Sequence, residues 1–430
     1  MVSESFYRET FKLWADAEIQ VTIEYIRADN GEVTTKEYTV GPDGKETYVD
    51  LAAPKMIIKV YGDGITMVDL QVMNLTSLDV TNCTSLTELY CERNKLTALD
   101  LTKNTSLEVL TCYENQITAL DLSKNEMLTM LNCTDNQINT LDVTKCTSLV
   151  GLLCNNNKLI TIDLSALMVL KTLYCNDNQL TELILPESNV ITALNCENNQ
   201  LTSLNVSSFV NLGGFSCKNN KLKSLDVSKN MAMTYFICSE NQLSLSEIPA
   251  KKAEWTTYEY APQQPVEITN DSNAGVDLSS EMSIGGQTTV CIWKTVDGTV
   301  LELDGDYTIT NGVTRFLKSQ PEPVYCEMTN ASLPDLSGDN ILKTTSVDVP
   351  FATTIDNATM QAIQVYVQGQ RLFASLERAA QLSVFDISGS EVLTTSVHAG
   401  QNTIELSDKG IFIVRIVENG RAFTQKVMVK

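Results

Sequence analysis

Apolar residues recur from Ile65 to about Leu245 with a period of 21 residues. Each period follows the pattern LxxLxCxxNxLxxLDLSxNxx, in which a cysteine is followed three residues later by an asparagine. The cysteines form one column: Cys91, Cys112, Cys133, Cys154, Cys175, Cys196, Cys217 and Cys238. The asparagines form a second: Asn94, Asn115, Asn136, Asn157, Asn178, Asn199, Asn220 and Asn241. Such a fixed period is the sequence signature of a solenoid, in which each period is one coil.

Alternating side chains predict a short strand in each coil, from Glu88 to Glu92 in the first full copy. Leu89 and Cys91 then point inward, and the residues beside them point outward. We expect the strands to stack in register as one parallel sheet, and nine coils at ~4.8 Å spacing give a sheet roughly 40 Å long. The return path from Thr97 to Ser106 is too short for a long helix, so it should be extended or 3₁₀-like.

The coils resemble the leucine-rich repeat family, with cysteine at one consensus apolar position, over about 180 residues. The segment from Ile65 to Val80 fits as a degenerate first coil, because Met73 stands where the asparagine should be. The chain is similar to internalin-like adhesins. That resemblance implies a surface protein that binds another protein.

The outward positions of the strands vary from coil to coil, whereas the inward positions do not. Repeat proteins bind partners on this extended face, and exposed Tyr and Leu among Asn and Glu suit an interface. The predicted binding residues are Glu88, Tyr90, Glu92, Thr111, Tyr113, Asn132, Leu153, Asn155, Tyr174, Asn176, Asn195 and Tyr235. Tyr90 and Tyr113 should form one patch, because their strands are neighbours. The alternative is an idle solvated face.

Two further columns could be functional, but their positions favour structural roles. The asparagine column could serve polar recognition, yet buried amides should bond backbone groups of the turn and the next coil. A column of aspartates could suggest calcium: Asp79, Asp100, Asp121, Asp142, Asp163 and Asp226. Ser or Thr two residues later favours turn chemistry instead. The aspartates also lapse at Ile184 and Asn205, which a required metal column should not do.

The placement of the 12 cysteines favours free thiols. The column members occupy an inward apolar position, where Cys acts as a small hydrophobe, although neighbours could approach bridging distance. Cys83 and Cys146 lie three coils apart, ~14 Å, and cannot pair. A disulfide between Cys291 and Cys326 stays open. No metal site is expected, since the chain has no CxxC pair and one histidine, His398.

The segments that flank the solenoid predict caps for its open ends. Residues 1–64 predict a β-rich N-terminal cap, with strands over Ile19–Ala28, Val33–Val40 and Lys55–Gly64 and turns over Asp29–Gly31 and Gly41–Gly44. At the other end, Glu247–Pro265 shows no repeat pattern and should be a closing cap and linker. The solenoid with this cap is therefore assigned to residues 65–262.

Two further β domains are predicted after the solenoid. Residues 263–349 suggest an immunoglobulin-like sandwich, with strands over Val266–Asn270, Thr288–Thr295, Asp306–Thr310 and Ser346–Pro350. Residues 350–430 predict a small antiparallel sandwich. They resemble the C-terminal sorting domain of the type IX secretion route, through Val384–Gly389, Gly410–Arg415 and Lys426–Lys430. That resemblance implies export across the outer membrane, with the tail cleaved or used for anchoring.

Composition limits the classes of partner. The chain of 430 residues is 43% hydrophobic and carries a formal charge of −22, so nucleic acids and anionic membranes are poor partners. The chain has no run of 18 apolar residues, which is the length that a membrane-spanning helix needs. The opening MVSESFYRETFK lacks the apolar core of a signal peptide. Either the protein is cytosolic or a signal was removed, and the sorting resemblance favours a secreted or outer-membrane surface location.

The sequence therefore predicts a mainly β bacterial surface protein that binds a protein partner, as an adhesin or in a host-interaction role. The alternative is a carbohydrate-binding component that uses Tyr90, Tyr113 and Tyr174 as stacking platforms. A monomer without cofactor or metal is expected. An enzyme is the weakest hypothesis, because a lone histidine in the tail leaves no Ser-His or Cys-His pairing elsewhere.

Overall fold

The computed structural model describes residues 10–27, 30–42, 45–48, 56–271, 275–349, 364–368, 370–376, 378–418 and 421–429. Their regular secondary structure consists of β-strands, apart from short 3₁₀ turns at Ser279–Glu281 and Gly338–Asn340. No described helix has the length and apolar character that crossing a bilayer requires. The chain divides into two compact units, Met1–Glu267 with Ser280–Cys291 and Glu327–Thr345, and Ile268–Ser279 with Ile292–Cys326 and Ser346–Lys430. The domain boundaries drawn from the sequence stay a prediction.

The described part of the N-terminal segment contains five strands: β1 (Thr10–Ala15), β2 (Ile19–Arg27), β3 (Val33–Val40), β4 (Lys45–Tyr48) and β5 (Met56–Tyr61). The three strands predicted here are confirmed as β2, β3 and β5. Alternation explains β2, whose Val21, Ile23 and Tyr25 are buried. Asp29, Asp43 and Gly44, which belong to the two predicted turns, lie outside the described residues.

The solenoid follows with β6 (Ile65–Asp69), β7 (Leu75–Asp79), β8 (Glu88–Tyr90), β9 (Val109–Thr111), β10 (Met130–Asn132), β11 (Gly151–Leu153), β12 (Thr161–Asp163), β13 (Thr172–Tyr174), β14 (Glu182–Ile184), β15 (Ala193–Asn195), β16 (Gly214–Ser216), β17 (Tyr235–Ile237) and β18 (Thr257–Glu259). One strand per coil pairs in parallel, and Leu89, Leu110 and Leu131 lie opposite one another. The predicted 21-residue coils and parallel sheet are confirmed.

Each strand is shorter than predicted, since β8 ends at Tyr90 rather than Glu92. Arg93 has a φ of 57°, and the equivalent residue of each later coil up to Glu240 is also left-handed. This turn bends the chain away from the strand direction. The coils nevertheless stay bonded beyond the strand, because the Cys91 and Arg93 amides donate to Thr111 and Tyr113 carbonyls at 2.9 Å.

The return side of the solenoid is built mainly from turns. The sequence predicted an extended or 3₁₀-like path, and the only described extended pairs here are β12 with β14 and β7 with β5. No 3₁₀ helix forms between Ile65 and Pro249 in the described chain. The turns are nevertheless 3₁₀-like, because the Asn104 and Leu107 amides donate to the Leu101 and Asn104 carbonyls three residues earlier, at 3.0 and 3.2 Å. Apolar side chains still face inward from this side, since Leu99, Leu101 and Leu107 are buried.

The N-terminal segment joins both sides of the first coil. Strand β1 pairs antiparallel with β6, which places Leu13 opposite Val68. Strand β5 pairs in parallel with β7, which places Ile58 opposite Leu78. All four side chains are buried. The segment therefore covers the open sheet edge and the core of the first coil, as expected for a cap.

The opposite end corrects the prediction that Glu247–Pro265 has no repeat pattern. Strand β18 adds another parallel strand, with Phe236 opposite Tyr258. Gln263 takes the asparagine position: its Oε1 accepts from the Asn241 amide at 3.1 Å and its Nε2 donates to the Cys238 carbonyl at 2.9 Å. The coil was missed because its strand follows at 22 residues rather than 21 and glutamine replaces asparagine.

Aromatic rings close the core at this end. The rings of Phe215 and Phe236 stack at 5.6 Å between centres, and those of Phe236 and Tyr258 at 5.7 Å. Trp255 packs edge-on against Phe236 at 5.0 Å. Aromatic side chains thus replace leucine at the last inward positions, and they fill the core of the last coils at this end.

The asparagine column has the structural role that the sequence favoured, but the amides bond the preceding coil and not, as predicted, the next one. The Asn157 Oδ1 accepts from the Ile138 amide at 3.0 Å. Its Nδ2 donates to the carbonyls of Cys133, Cys154 and Asn155 at 3.0, 3.1 and 3.1 Å. One buried amide therefore closes its own turn and bonds the preceding coil.

The cysteine column is buried, and its members are free thiols. Burial raises the pKa of Cys133 and Cys196 to about 12, so these thiols are protonated at neutral pH. The prediction of small apolar packing residues is confirmed. Cys291 and Cys326, whose pairing was left open, are thiols as well.

The segment after the cap is rich in short strands: β19 (Val276–Asp277), β20 (Ser283–Ile284), β21 (Gln287–Thr288), β22 (Val290–Thr295), β23 (Tyr307–Thr310), β24 (Val313–Phe316), β25 (Val324–Thr329) and β26 (Leu342–Lys343). The strands predicted over Val266–Asn270 and Ser346–Pro350 are wrong as full strands, because only Val266 and Val347 make isolated bridges there. Buried Glu281 accepts from the Ser246 amide and hydroxyl at 3.0 and 2.7 Å.

The tail forms an antiparallel sandwich from β27 (Gln364–Gln368), β28 (Arg371–Leu376), β29 (Ala380–Phe385), β30 (Glu391–Val397), β31 (Gly400–Glu405), β32 (Gly410–Glu418) and β33 (Arg421–Val429). A sheet of β27, β28 and β31 and a sheet of β30, β29, β32 and β33 share one core, which includes Leu372, Leu382 and Val414. The predicted small sandwich is confirmed. The core contains tail residues alone.

We expect Asn157→Ala to lower the free energy of unfolding by about 1–3 kcal/mol, because it leaves buried backbone groups without partners. Asn155 is the matched control, since it lies two residues away and its Oδ1 accepts only the Thr134 hydroxyl among its described hydrogen bonds. Thermal and urea unfolding of both alanine variants would measure the difference. Equal losses would show that the amide column does not carry the turns.

Candidate protein-binding face

The predicted binding residues all lie in three outward columns of the solenoid sheet, which are the positions equivalent to Glu88, Tyr90 and Glu92 in each coil. Their exposure differs. Tyr174 and Tyr235 are 39% and 43% exposed, whereas Glu92 is only 5% exposed. The remaining predicted residues are half-buried. Neighbouring coils lie close enough to shield short side chains, so the face is shallow and well packed.

The N-terminal end of the face is acidic. The Tyr90 hydroxyl donates to Glu88 at 2.7 Å, and the Thr111 hydroxyl donates to Glu92 at 2.6 Å. Burial, together with the bond to Glu88, raises the pKa of Tyr90 to about 12. Burial also raises the pKa of Glu92, although the Thr111 bond acts in the opposite direction. Two carboxylates are thus held in place by hydroxyl donors.

Tyr113 lies beside this end but faces a different neighbour. The Arg93 guanidinium is 5.6 Å from the Tyr113 ring centre and bonds the Glu114 carboxylate at 3.2 Å. No ring contact joins Tyr90 and Tyr113 within the described chain. One face of the Tyr113 ring is therefore covered by a cation, and the phenol of Tyr90 is already bonded.

The middle of the face contains an apolar strip, which we define as Met130, Leu153 and Tyr174 on the adjacent strands β10, β11 and β13. Leu153 lies directly opposite Tyr174. Met130 folds over Gly151, where a Cβ atom would lie 2.7 Å from the Met130 Cε, so a larger residue at position 151 would make the Met130 side chain move. Met130 is 37% exposed. The strip was only partly recognised from the sequence, because Met130 was not chosen as a binding residue.

The amides beside the apolar strip are held by local bonds. The Asn132 Oδ1 accepts from the Thr134 amide at 3.2 Å, and the Asn155 Oδ1 accepts from the Thr134 hydroxyl at 2.8 Å. Asn195 accepts from the Glu197 amide at 3.0 Å in the same way. The Asn176 Nδ2 donates to Asp177 at 2.6 Å. These polar side chains are fixed before any partner arrives.

The C-terminal end of the face combines acids with one cation. Lys218 bonds Glu240 at 3.3 Å and Glu259 at 3.2 Å, and Glu259 also accepts from the Ser239 hydroxyl at 2.6 Å. Glu197 accepts from the Ser216 hydroxyl. Glu259 was missed from the sequence because it belongs to the coil hidden in the cap.

The aspartate column shapes turns, as the sequence favoured. The Asp142 Oδ1 accepts from the Thr144 hydroxyl and amide at 2.7 and 3.0 Å, and these bonds lower the pKa of Asp142. Asn205 makes the same pair of bonds to Ser207. Asparagine at that position therefore preserves the turn. No group of acidic, Cys or His side chains in the described chain could hold a metal.

A family comparison identifies the tail. Residues 357–430 match the secretion system C-terminal sorting domain. The chain thus carries a type IX sorting domain, which indicates secretion and attachment to the cell surface or outer membrane. No curated protein matches the sequence significantly.

Solved structures similar to this chain contain leucine-rich repeats. The functional domain of InlJ from Listeria monocytogenes, described as including a cysteine ladder, is 21% identical over 65% of this chain and 85% of that chain, with a TM-score of 0.37. YopM from Yersinia enterocolitica is 22% identical over 46% and 47%, with a TM-score of 0.38. YopM from Yersinia pestis is 20% identical over 51% and 71%, with a TM-score of 0.36. These TM-scores are low, so the fold assignment rests on the coils themselves.

We expect Asp142→Asn to leave stability at neutral pH unchanged, whereas Asp142→Ala loses both bonds, about 1 kcal/mol. The lowered pKa means that Asp142 stabilises the fold above the ordinary aspartate value of 3.8 and loses this effect as the pH falls through the lowered value. Melting curves from pH 7 to pH 2 should therefore show equal melting temperatures for the wild-type protein and Asp142→Asn at neutral pH, and a lower melting temperature for the wild-type protein in acid. A rise in melting temperature on adding calcium would contradict the turn assignment.

Proposed function

We propose that this protein acts at the bacterial cell surface, where it binds a protein partner on the outward face of its solenoid sheet in an adhesin or host-interaction role. The sorting domain supports the location. The leucine-rich repeat solenoid supports the class of activity, since repeat proteins typically bind partners on an extended face. Such a solenoid is typically an interaction scaffold rather than an enzyme.

The observation that carries the binding proposal is the apolar strip. Met130 and Tyr174 are more than a third exposed, and neither contributes to the inward packing that the repeat requires. An apolar strip flanked by polar side chains matches the usual composition of a protein interface. Tyrosine is also enriched among the residues that dominate binding energy.

The carbohydrate alternative has less support from the geometry. A sugar-stacking platform needs open ring faces, but Arg93 lies over one face of Tyr113 and Tyr90 is only partly exposed. Tyr174 is the one predicted platform that is more than a third exposed. Glycan binding therefore remains an outcome of the binding test rather than a second proposal.

We expect Tyr174→Ala to weaken partner binding by about 2 kcal/mol with little change in stability, because the ring is exposed and makes no inward contact. The partner would be isolated from host-cell surface extract with the full chain, and its affinity for both forms measured by calorimetry. Lys103→Ala on the return side is the control and should change neither binding nor stability. Undiminished affinity in Tyr174→Ala, or competition by free sugar, would contradict the proposal.

We expect deletion of Gly410–Lys430 to abolish surface display, because it removes β32 and β33 from the sorting domain. The solenoid should still fold, since the core of the tail contains no solenoid residue. Cell fractionation would locate the truncated protein in the periplasm, and resistance of its buried thiols to alkylation would show that the coils are intact. Surface display of the truncated form would show that these strands do not carry the sorting signal.

A further inference from the structure

The outward face is poor in cations. Between Ile65 and Pro249 the chain has 19 acidic and 11 basic residues, yet Lys218 is the only basic residue in the three outward columns. Lys218 is already paired with Glu240 and Glu259. Arg93, in the turn beside the face, is likewise paired with Glu114.

Three carboxylates of the face lack such a partner. Glu88, Glu92 and Glu197 form no ion pair with a described residue. Each accepts a hydroxyl bond instead, from Tyr90, Thr111 and Ser216 in that order. A hydroxyl donor orients a carboxylate but brings no positive charge to it. At Glu92 the nearby Arg93 lowers the pKa, but the Arg93 guanidinium is itself paired with Glu114.

Glu92 shows the consequence most clearly, because only 5% of its surface is exposed. A carboxylate withdrawn from water without a cation is destabilised, and a cation that arrives with a partner would reverse that effect. The side chain is therefore suited to a charged contact from outside the chain. Nothing in the fold requires an acid here, since glutamine could accept the same Thr111 bond.

The unpaired carboxylates lie on both sides of the apolar strip. Glu88 and Glu92 belong to the coil of β8, and Glu197 belongs to the coil of β15. Five strand spacings separate these coils in the sheet order, which is about 24 Å at ~4.8 Å per strand. An extended chain covers that distance in about seven residues at ~3.4 Å each. Met130, Leu153 and Tyr174 lie between the two ends.

We propose that the partner of this face is a protein segment with Lys or Arg clusters at both ends and apolar residues between them. The two clusters would lie about seven extended residues apart. This inference rests on the proposed function and specifies the chemistry of its ligand. Contacts between the basic clusters of the segment and the carboxylates at the two ends of the face would fix the register of the segment. The apolar strip would supply most of the buried area.

The test uses the full chain and three synthetic peptides of equal length. One has basic clusters seven residues apart around an apolar centre, the second has acidic clusters around the same centre, and the third contains the basic residues in the middle. Fluorescence anisotropy at low and high salt would measure each affinity. We expect only the first peptide to bind, and its affinity should fall as salt screens the contacts.

The double substitution Glu92→Gln and Glu197→Gln should lower the affinity for the peptide with basic clusters at both ends by about tenfold or more and reduce the salt dependence of that affinity. The matched control, Glu126→Gln with Glu187→Gln, removes the same charge from exposed positions outside the outward columns and should bind normally. If the first pair unfolds, Glu88→Gln with Glu197→Gln provides a second pair with the same expected loss. Melting curves of every variant would separate lost binding from lost folding.

Binding of the acidic peptide, no binding of any peptide, or an equal loss in the control pair would overturn the cationic partner. The proposed function would survive those results if Tyr174→Ala still weakened the partner isolated from host-cell extract. Conversely, normal binding of the basic peptide by Tyr174→Ala would support the charge contacts and contradict the apolar strip as the binding centre.

Discussion

The asparagine amide shared by the eight coils from Asn94 to Asn241 is the interaction on which the solenoid depends. Asn94 accepts from the Met73 and Leu75 amides at 3.0 and 2.9 Å and donates to the Leu70 carbonyl at 2.8 Å. A tight turn without a helix leaves backbone groups that strand pairing cannot satisfy. One side chain with donors and an acceptor meets that need, and the same bonds attach each coil to the one before it.

A solenoid built this way must end somewhere, and the two ends reach different solutions. At the N-terminal end, β1 and β5 pair with opposite sides of the first coil. At the C-terminal end the repeat itself continues in altered form, with Gln263 in the amide position and Tyr258 in the leucine position. The first solution pairs the exposed sheet edge, and the second covers the exposed core with aromatic side chains.

The regular interior also explains why the outward face can specialise. Inward positions are restricted by packing, so substitutions there change the fold. Outward positions meet no such restriction, and they can hold groups that stabilise nothing in the free protein. Glu92 is such a group, because burial raises its pKa and no described cation pairs with it. Such a carboxylate supports the proposal of a cationic partner.

The sequence by itself determined the coil length, the inward side chains, the amide column, the turn aspartates and the class of the tail, because each depends on local spacing that recurs or on a contiguous motif. It also identified the outward columns, since alternation on a strand is a local property. Tertiary structure alone decided the hidden final coil. This coil has one extra residue, and Gln263 replaces asparagine there by bonding the Asn241 amide and the Cys238 carbonyl. Tertiary structure also decided which outward side chains are exposed, and which acids have cations. These properties depend on neighbours 19 or more residues away, and no local pattern records them.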